Sequence, residues 1–119
     1  MGKRRSSDRV DLIYGALDML ILRTLRWGPT HGHGLAKSIE RMSEDALRVD
    51  HGSLYPALQR LLQEGWITAS WGISDKNQRA KYYRLTAAGK RKLTAETSRW
   101  DRFVRAVTGV LRPLEGEKI

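Results

Sequence analysis

Apolar positions along the chain recur with two periods, one near 3.6 residues and one of 2, and together they predict four helices and one hairpin. From about Leu12 to Arg26, the residues Ile13, Ala16, Leu17, Leu20, Ile21 and Leu25 return to one side of a helix, which Gly28-Pro29 stops. Leu35, Ala36, Ile39 and Met42 mark a second, shorter helix behind the loop THGHG, where the Thr30 hydroxyl is placed to cap free backbone N–H groups. The third helix lies in HGSLYPALQRLLQEGWI, residues 51–67, with Leu54, Leu58, Leu61 and Leu62 gathered on one side. Asp50 is a candidate cap for it. A proline is best tolerated in a first turn, however, so Pro56 moves the expected start to near Ser53.

Gly65 ends that helix, and ITASWG then alternates Ile67, Ala69 and Trp71 with Thr68 and Ser70 at the period of a half-buried strand. Its partner is RAKYYRLT, residues 79–86, rich in the aromatic residues that strands favour, and ISDKNQ closes the hairpin. Thr86 is a good N-cap for a long last helix reaching about Leu111. In that helix Leu93, Trp100 and Val107 repeat every seven residues, with Val104 and Leu111 in the alternate seam. The expected fold class is therefore mainly α with a small β-hairpin. Its organisation is a flexible basic tail over residues 1–10, a three-helix bundle with a two-stranded wing over 11–86, a dimerisation helix over 87–111 and a flexible tail over 112–119.

The third helix is unusual on its outward side, which carries Gly52, Pro56, Gln59, Arg60 and Gln63. Small or flat residues let the backbone approach another surface, and Gln and Arg side chains can each make two hydrogen bonds to base edges. An ordinary solvated face reads the same way in isolation. Charge separates the two readings: 22 Lys+Arg against 13 Asp+Glu give a formal net charge of +9, which points to a polyanionic partner, either nucleic acid or an anionic membrane surface. The 119 residues suit one domain. With no cysteine, disulfides, thiolate metal sites and cysteine nucleophiles are excluded. MGKRRSSDR has no apolar core of a signal peptide and no apolar run reaches the length of a membrane span, so a soluble, cytoplasmic protein without a membrane partner is expected.

A three-helix bundle whose third helix is followed by a hairpin is a winged helix-turn-helix, a DNA-binding architecture. In that frame Ser53, Gln59 and Arg60 are the candidate base or backbone contacts of the reading helix. Lys76, Asn77, Arg79 and Lys81 in the wing are expected to track the sugar-phosphate backbone. Lys90, Arg91 and Lys92 form a further basic run, and Lys3, Arg4 and Arg5 could lie in a minor groove. His31, His33 and His51 could be drawn as a metal triad, but no carboxylate or cysteine stands at ligand spacing beside them, and no metal or other cofactor is expected. Ser53, Asp50 and His51 are neighbours on one turn and do not make a catalytic triad, so no enzymatic activity is expected. The apolar stripe of the last helix has no intramolecular partner large enough to cover it. Leu93, Trp100, Phe103, Val104 and Val107 are therefore the candidate subunit contacts of a homodimer.

GALDMLILRTL, GPTHGHGLAKSIE, GSLYPALQRLLQEGWI and RAKYYRLTAAGKRKL resemble successive signature segments of the PadR family of bacterial transcriptional regulators, covering roughly residues 12 to 111. The chain is similar in length to the short subfamily, with a single C-terminal helix in place of a separate helical domain. One departure is His33, where the family commonly shows an aromatic residue. The resemblance implies a dimer that binds an inverted repeat in double-stranded DNA, usually as a repressor. In some members DNA is released by a phenolic, lipophilic or drug-like effector. It further implies that Tyr55 corresponds to a tyrosine that reaches a phosphate, the alternative being a half-buried core ring. For Trp100 it implies an aromatic wall of a pocket between subunits, the alternative being plain interface packing. Two rival functions come from other classes: a nucleic-acid-binding structural protein without sequence preference, and a membrane-surface binder.

Overall fold

Ala16–Leu25 folds as the first helix, α1, and its apolar face buries Leu17, Ile21, Leu22 and Leu25. This computed structural model describes residues 15–116. Lys3, Arg4 and Arg5 of the expected basic tail, and Leu12 and Ile13 at the expected start of the first helix, lie outside the described residues. Gly28, with φ +141°, turns the chain after α1 in a conformation that favours glycine, and Thr30–His31 then runs extended as a short strand, β1.

The second helix, α2, spans Gly32–Met42 and so takes in three residues of the expected THGHG loop. Its cap is His31 rather than Thr30. The Gly34 N–H donates to His31 Nδ1 at 3.0 Å, while the Thr30 hydroxyl donates to the Gly28 carbonyl at 3.1 Å. The third helix, α3, spans His51–Gln63 and starts at the Asp50 cap, whose Oδ1 accepts from the Ser53 N–H at 2.8 Å; the expected later start near Ser53 is corrected. The cap outweighs the proline because Pro56 falls on the exposed side of the second turn. It has no N–H for the Gly52 carbonyl, and both residues stand at the surface rather than in the core.

Gly65, with φ +76°, ends α3 and leads into β2, Ile67–Ile73, which pairs antiparallel with β3, Arg79–Leu85, in register from Ile67↔Leu85 to Ile73↔Arg79. β1 adds to the other edge of β3 through Thr30↔Tyr83 and His31↔Tyr82, so the sheet has three strands in the order β1-β3-β2 where two were expected. Two residues are too few to show a period. Only the position of β3 beside them makes them a strand.

The last helix, α4, spans Ala87–Leu111 and starts at Thr86, whose Oγ1 accepts from the Gly89 N–H at 3.0 Å. The same hydroxyl donates to the Gly65 carbonyl at 2.8 Å, and the Thr86 N–H donates to the Trp66 carbonyl at 3.1 Å. These bonds fasten the start of α4 to the end of α3. A Cβ on Gly89 would run into the Trp66 carbonyl, so this close approach requires glycine. Ile21, Leu22, Leu35, Leu54, Leu58, Leu61 and Ile67 are almost wholly buried and come from α1, α2, α3 and β2. Each such side chain contributes about 1.5–3 kcal/mol, which makes this common core the frame that fixes α3 against the sheet.

Candidate nucleic-acid interface

The buried side of α3 fixes which of its residues face outward. Leu54, Ala57, Leu58 and Leu61 are buried, which leaves Gly52, Pro56, Gln59 and Gln63 exposed on the opposite side. The wing rises beside that side, and between them runs an open groove. Leu58 and Tyr83 lie in its lining together with Tyr55 and Gln59 of α3, His31 and His33 from the start of α2, and Lys76, Arg79 and Lys81 of the wing. Those three cations face a single carboxylate in the lining, Asp75, so the groove suits an anion. Burial pushes the Tyr83 phenol above its ordinary pKa, with Tyr55 adding to the shift.

The predicted contact residues do not all meet there. Ser53 is exposed in the first turn of α3, beside the cap that its own N–H completes. Arg60 turns away from the groove: its Nη2 lies 2.7 Å from Asp18 Oδ1 of α1, across an exposed pair that contributes at most about 1 kcal/mol to stability. Asn77 holds the wing turn at φ +59°, a left-handed position that asparagine tolerates better than most residues, while the Ser74 N–H donates to the Gln78 carbonyl at 2.7 Å to close the loop. Tyr55 is half-exposed, its ring lying so close over Gly32 that a Cβ there would sit 2.9 Å from the phenolic oxygen. The ring forms part of the groove wall, lying against α2 and outside the buried core cluster.

Two features of the groove depend on tertiary contacts. The alternation along the strand places Trp71 with the inward residues Ile67 and Ala69, but β2 projects past the core by that point and the ring is exposed. Arg79 Cζ stacks 4.3 Å from its centroid and Lys81 Nζ lies 6.0 Å away, so the indole orders two wing cations. The register Trp71↔Lys81 makes this possible, and only the pairing reveals it. The second feature is a chain of rings: Tyr82 to His31 at 5.5 Å, His31 to His33 at 6.5 Å, His33 to His51 at 6.4 Å and His51 to Tyr55 at 5.7 Å. Residues from β1, β3, α2 and α3 meet in it. Among the described residues, no group of three or more His, Cys, Asp or Glu side chains could hold a metal ion.

The candidate subunit residues on α4 divide. Leu93 is buried in the protomer's own core, which corrects its place in the subunit seam. Trp100 is half-buried with its ring 5.8 Å from that of Phe103, while Phe103, Val104 and Val107 are exposed. No helix among the described residues is long and apolar enough to cross a membrane.

Residues 21–95 match the transcriptional regulator PadR-like family. An uncharacterised protein of Lysinibacillus sphaericus is 33% identical over 93 residues, covering 77% of this chain and 84% of that one. Among solved structures, a PadR family transcriptional regulator from Eggerthella lenta is 30% identical with a TM-score of 0.69, covering 83% of this chain and 84% of its own. A transcriptional regulator from Clostridium thermocellum is 25% identical with a TM-score of 0.76, covering 83% and 96%. A buried-backed reading helix, a basic wing on its flank and this likeness over most of the chain agree: the protein belongs to the PadR-like family and is a winged-helix, DNA-binding transcriptional regulator.

Proposed function

We propose that the protein represses transcription as a homodimer on an inverted-repeat operator, and that a flat aromatic or lipophilic effector held between the subunits releases it. The observation that carries this reading is the second half of α4, where Phe103, Val104, Val107, Val110 and Leu111 stand exposed on one helix. A contiguous apolar surface of this kind needs a partner, and a second copy of the same helix is self-complementary. In this reading residues 87–111 are the dimerisation helix and residues 11–86 the DNA-binding unit. Two-fold pairing sets two α3 helices on one side of a duplex about 34 Å apart, which demands an inverted repeat.

Gln59 and Ser53 then contact the major groove from each half, Tyr55 reaches a phosphate, and Lys76, Asn77, Arg79 and Lys81 follow the backbone. Arg60 joins them only by leaving Asp18. The Trp100 and Phe103 rings offer a stacking surface near the subunit axis, so an effector that prefers the DNA-incompetent dimer lowers operator affinity by that preference.

The test uses DNA from upstream of the protein's own gene and a mixed-sequence duplex at one salt concentration. A sequence-specific dimer gives an affinity ratio of about 10³ or more, and a ratio near one assigns sequence-independent nucleic-acid binding instead. Arg79→Ala should weaken both duplexes and lower the salt slope by about 1, whereas Gln59→Ala should cost about 1–3 kcal/mol on the specific site alone. A chain that sediments as a monomer at micromolar concentration and keeps full operator affinity overturns the dimer. Effector binding is tested by an aromatic-compound screen on wild type and Trp100→Ala, the variant losing the response while still binding DNA.

A further inference from the structure

The ring chain from Tyr82 to Tyr55 gathers all three histidines of the protein at one edge of the groove, with His31, His33 and Tyr55 in its lining, and the three are not equivalent. His31 is committed to the fold: Nδ1 caps α2 by accepting from Gly34, which leaves the imidazole proton on Nε2. His33 and His51 are exposed, their ring centroids 6.4 Å apart, one in the first turn of α2 and the other in the first turn of α3. Tyr55 closes the corner from the His51 side, 5.7 Å from that ring. The two exposed rings stand edge to face, close enough for one surface-bound anion to meet both.

We infer that His33 and His51 form a proton-dependent contact for a DNA backbone phosphate, so that DNA affinity rises as pH falls through the imidazole range. This rests on the DNA-binding reading of the groove and extends it. Imidazole is the side chain whose charge ordinarily changes between pH 5 and 8, and a phosphate bonded to two such rings favours their charged form through charge-assisted N–H donation. Binding therefore takes up protons. The groups around the pair are of both signs. Lys37 stands four residues along α2 from His33, Asp50 caps α3 beside His51, Tyr55 faces from α3 and Tyr82 and Tyr83 from β3, while the wing brings Asp75, Lys76, Arg79 and Lys81 to the same groove. The double substitution at His33 and His51 separates the contribution of this pair from that of these neighbours.

The experiment measures binding of the full-length protein to a fluorescent mixed-sequence 30-bp duplex at pH 7.5 and 5.5 over a range of salt concentrations, because a phosphate contact is independent of base sequence. Wild type should bind roughly tenfold tighter at pH 5.5, with a salt slope steeper by about 1 to 2. Calorimetry at pH 6.5 in two buffers of different ionisation enthalpy should show proton uptake on binding. The doubly substituted His33→Gln, His51→Gln protein should lose both the pH response and the uptake, and His33→Lys, His51→Lys should restore tight binding at both pH values. His31 stays untouched in every variant, so the α2 cap is kept. Binding by wild type that does not change with pH, or a pH response that survives the double glutamine substitution, overturns the inference while leaving the DNA-binding reading intact. Absence of duplex binding at either pH in low salt overturns both.

Discussion

Along α4 one apolar stripe meets two different surroundings. Leu93, near its start, is 5% exposed inside the common core, yet Val107, two heptads on, is 38% exposed and Leu111 is 62% exposed. The residues differ little in chemistry. What differs is that the first turns are fastened to the α3–β2 corner by Thr86 and the close approach of Gly89, whereas every described residue from Asp101 onward lies at the surface. Apolar periodicity thus marks a face that wants cover without saying whether the same chain or a second one supplies it.

The largest expected effect tests the covered half directly. Leu93→Ala should lower protomer stability by about 2–5 kcal/mol in denaturant unfolding, because it empties a site in the core. Val107→Asp should leave the stability of the isolated protomer within about 0.5 kcal/mol while shifting the sedimentation profile from dimer to monomer. If Val107→Asp unfolded the protomer as Leu93→Ala does, the contrast between the two halves would be wrong.

Gly89→Ala comes next. Helix propensity alone favours alanine by up to about 1 kcal/mol, but here the added carbon meets the Trp66 backbone carbonyl, which cannot rotate aside as a side chain would, so a net loss of about 1–3 kcal/mol is expected. Gly109→Ala sharpens the comparison. Nothing lies within 4 Å of a Cβ at that position, so in the protomer the propensity gain should appear undiminished. Thermal unfolding of the two variants side by side should move in opposite directions.

Thr86→Ala removes an N-cap and a tether to Gly65 together, and about 1 kcal/mol is expected, with amide exchange quickening first at the start of α4. Thr86→Ser keeps both bonds and should recover most of that. The smallest effect lies in the middle of the helix. The Lys92 ammonium, bonded to Glu96 at 2.8 Å, holds that carboxyl below the usual glutamate range despite the opposing effect of partial burial, and Arg99 assists. A folded-state pKa below the unfolded one gives stability that is full above the unfolded value and disappears as pH falls through the folded one. Glu96→Gln should therefore flatten the acid limb of the stability curve slightly and change nothing at neutral pH beyond a few tenths of a kcal/mol.

The succession of elements was legible because local signals agreed with the tertiary outcome. Gly28-Pro29, Gly65 and Thr86 punctuate the chain where the helices stop and start, and the alternation from Ile67 to Trp71 gives the strand. Where two local signals conflicted, the sequence could not rank them: the Asp50 cap and Pro56 argued for different starts of α3, and the cap prevailed because the proline sits on the solvent side of the second turn. At the interface, the composition of the outward side of α3 and of the wing pointed to nucleic acid, since charge and side-chain type are properties of the residues themselves.

The sequence by itself determined the class of the protein, the order of its helices and hairpin and the sign of its partner, because periodicity, capping and net charge are local or additive. Tertiary structure alone decided which residues meet. It made Thr30–His31 a strand by laying β3 beside them, turned Arg60 toward Asp18, set Arg79 on Trp71 through strand register, and brought His33 and His51, distant in sequence, into one corner. It also buried Leu93 while leaving Val107 in solvent. Contact between distant residues depends on how whole elements pack, and no window of sequence short enough to show a period contains that information.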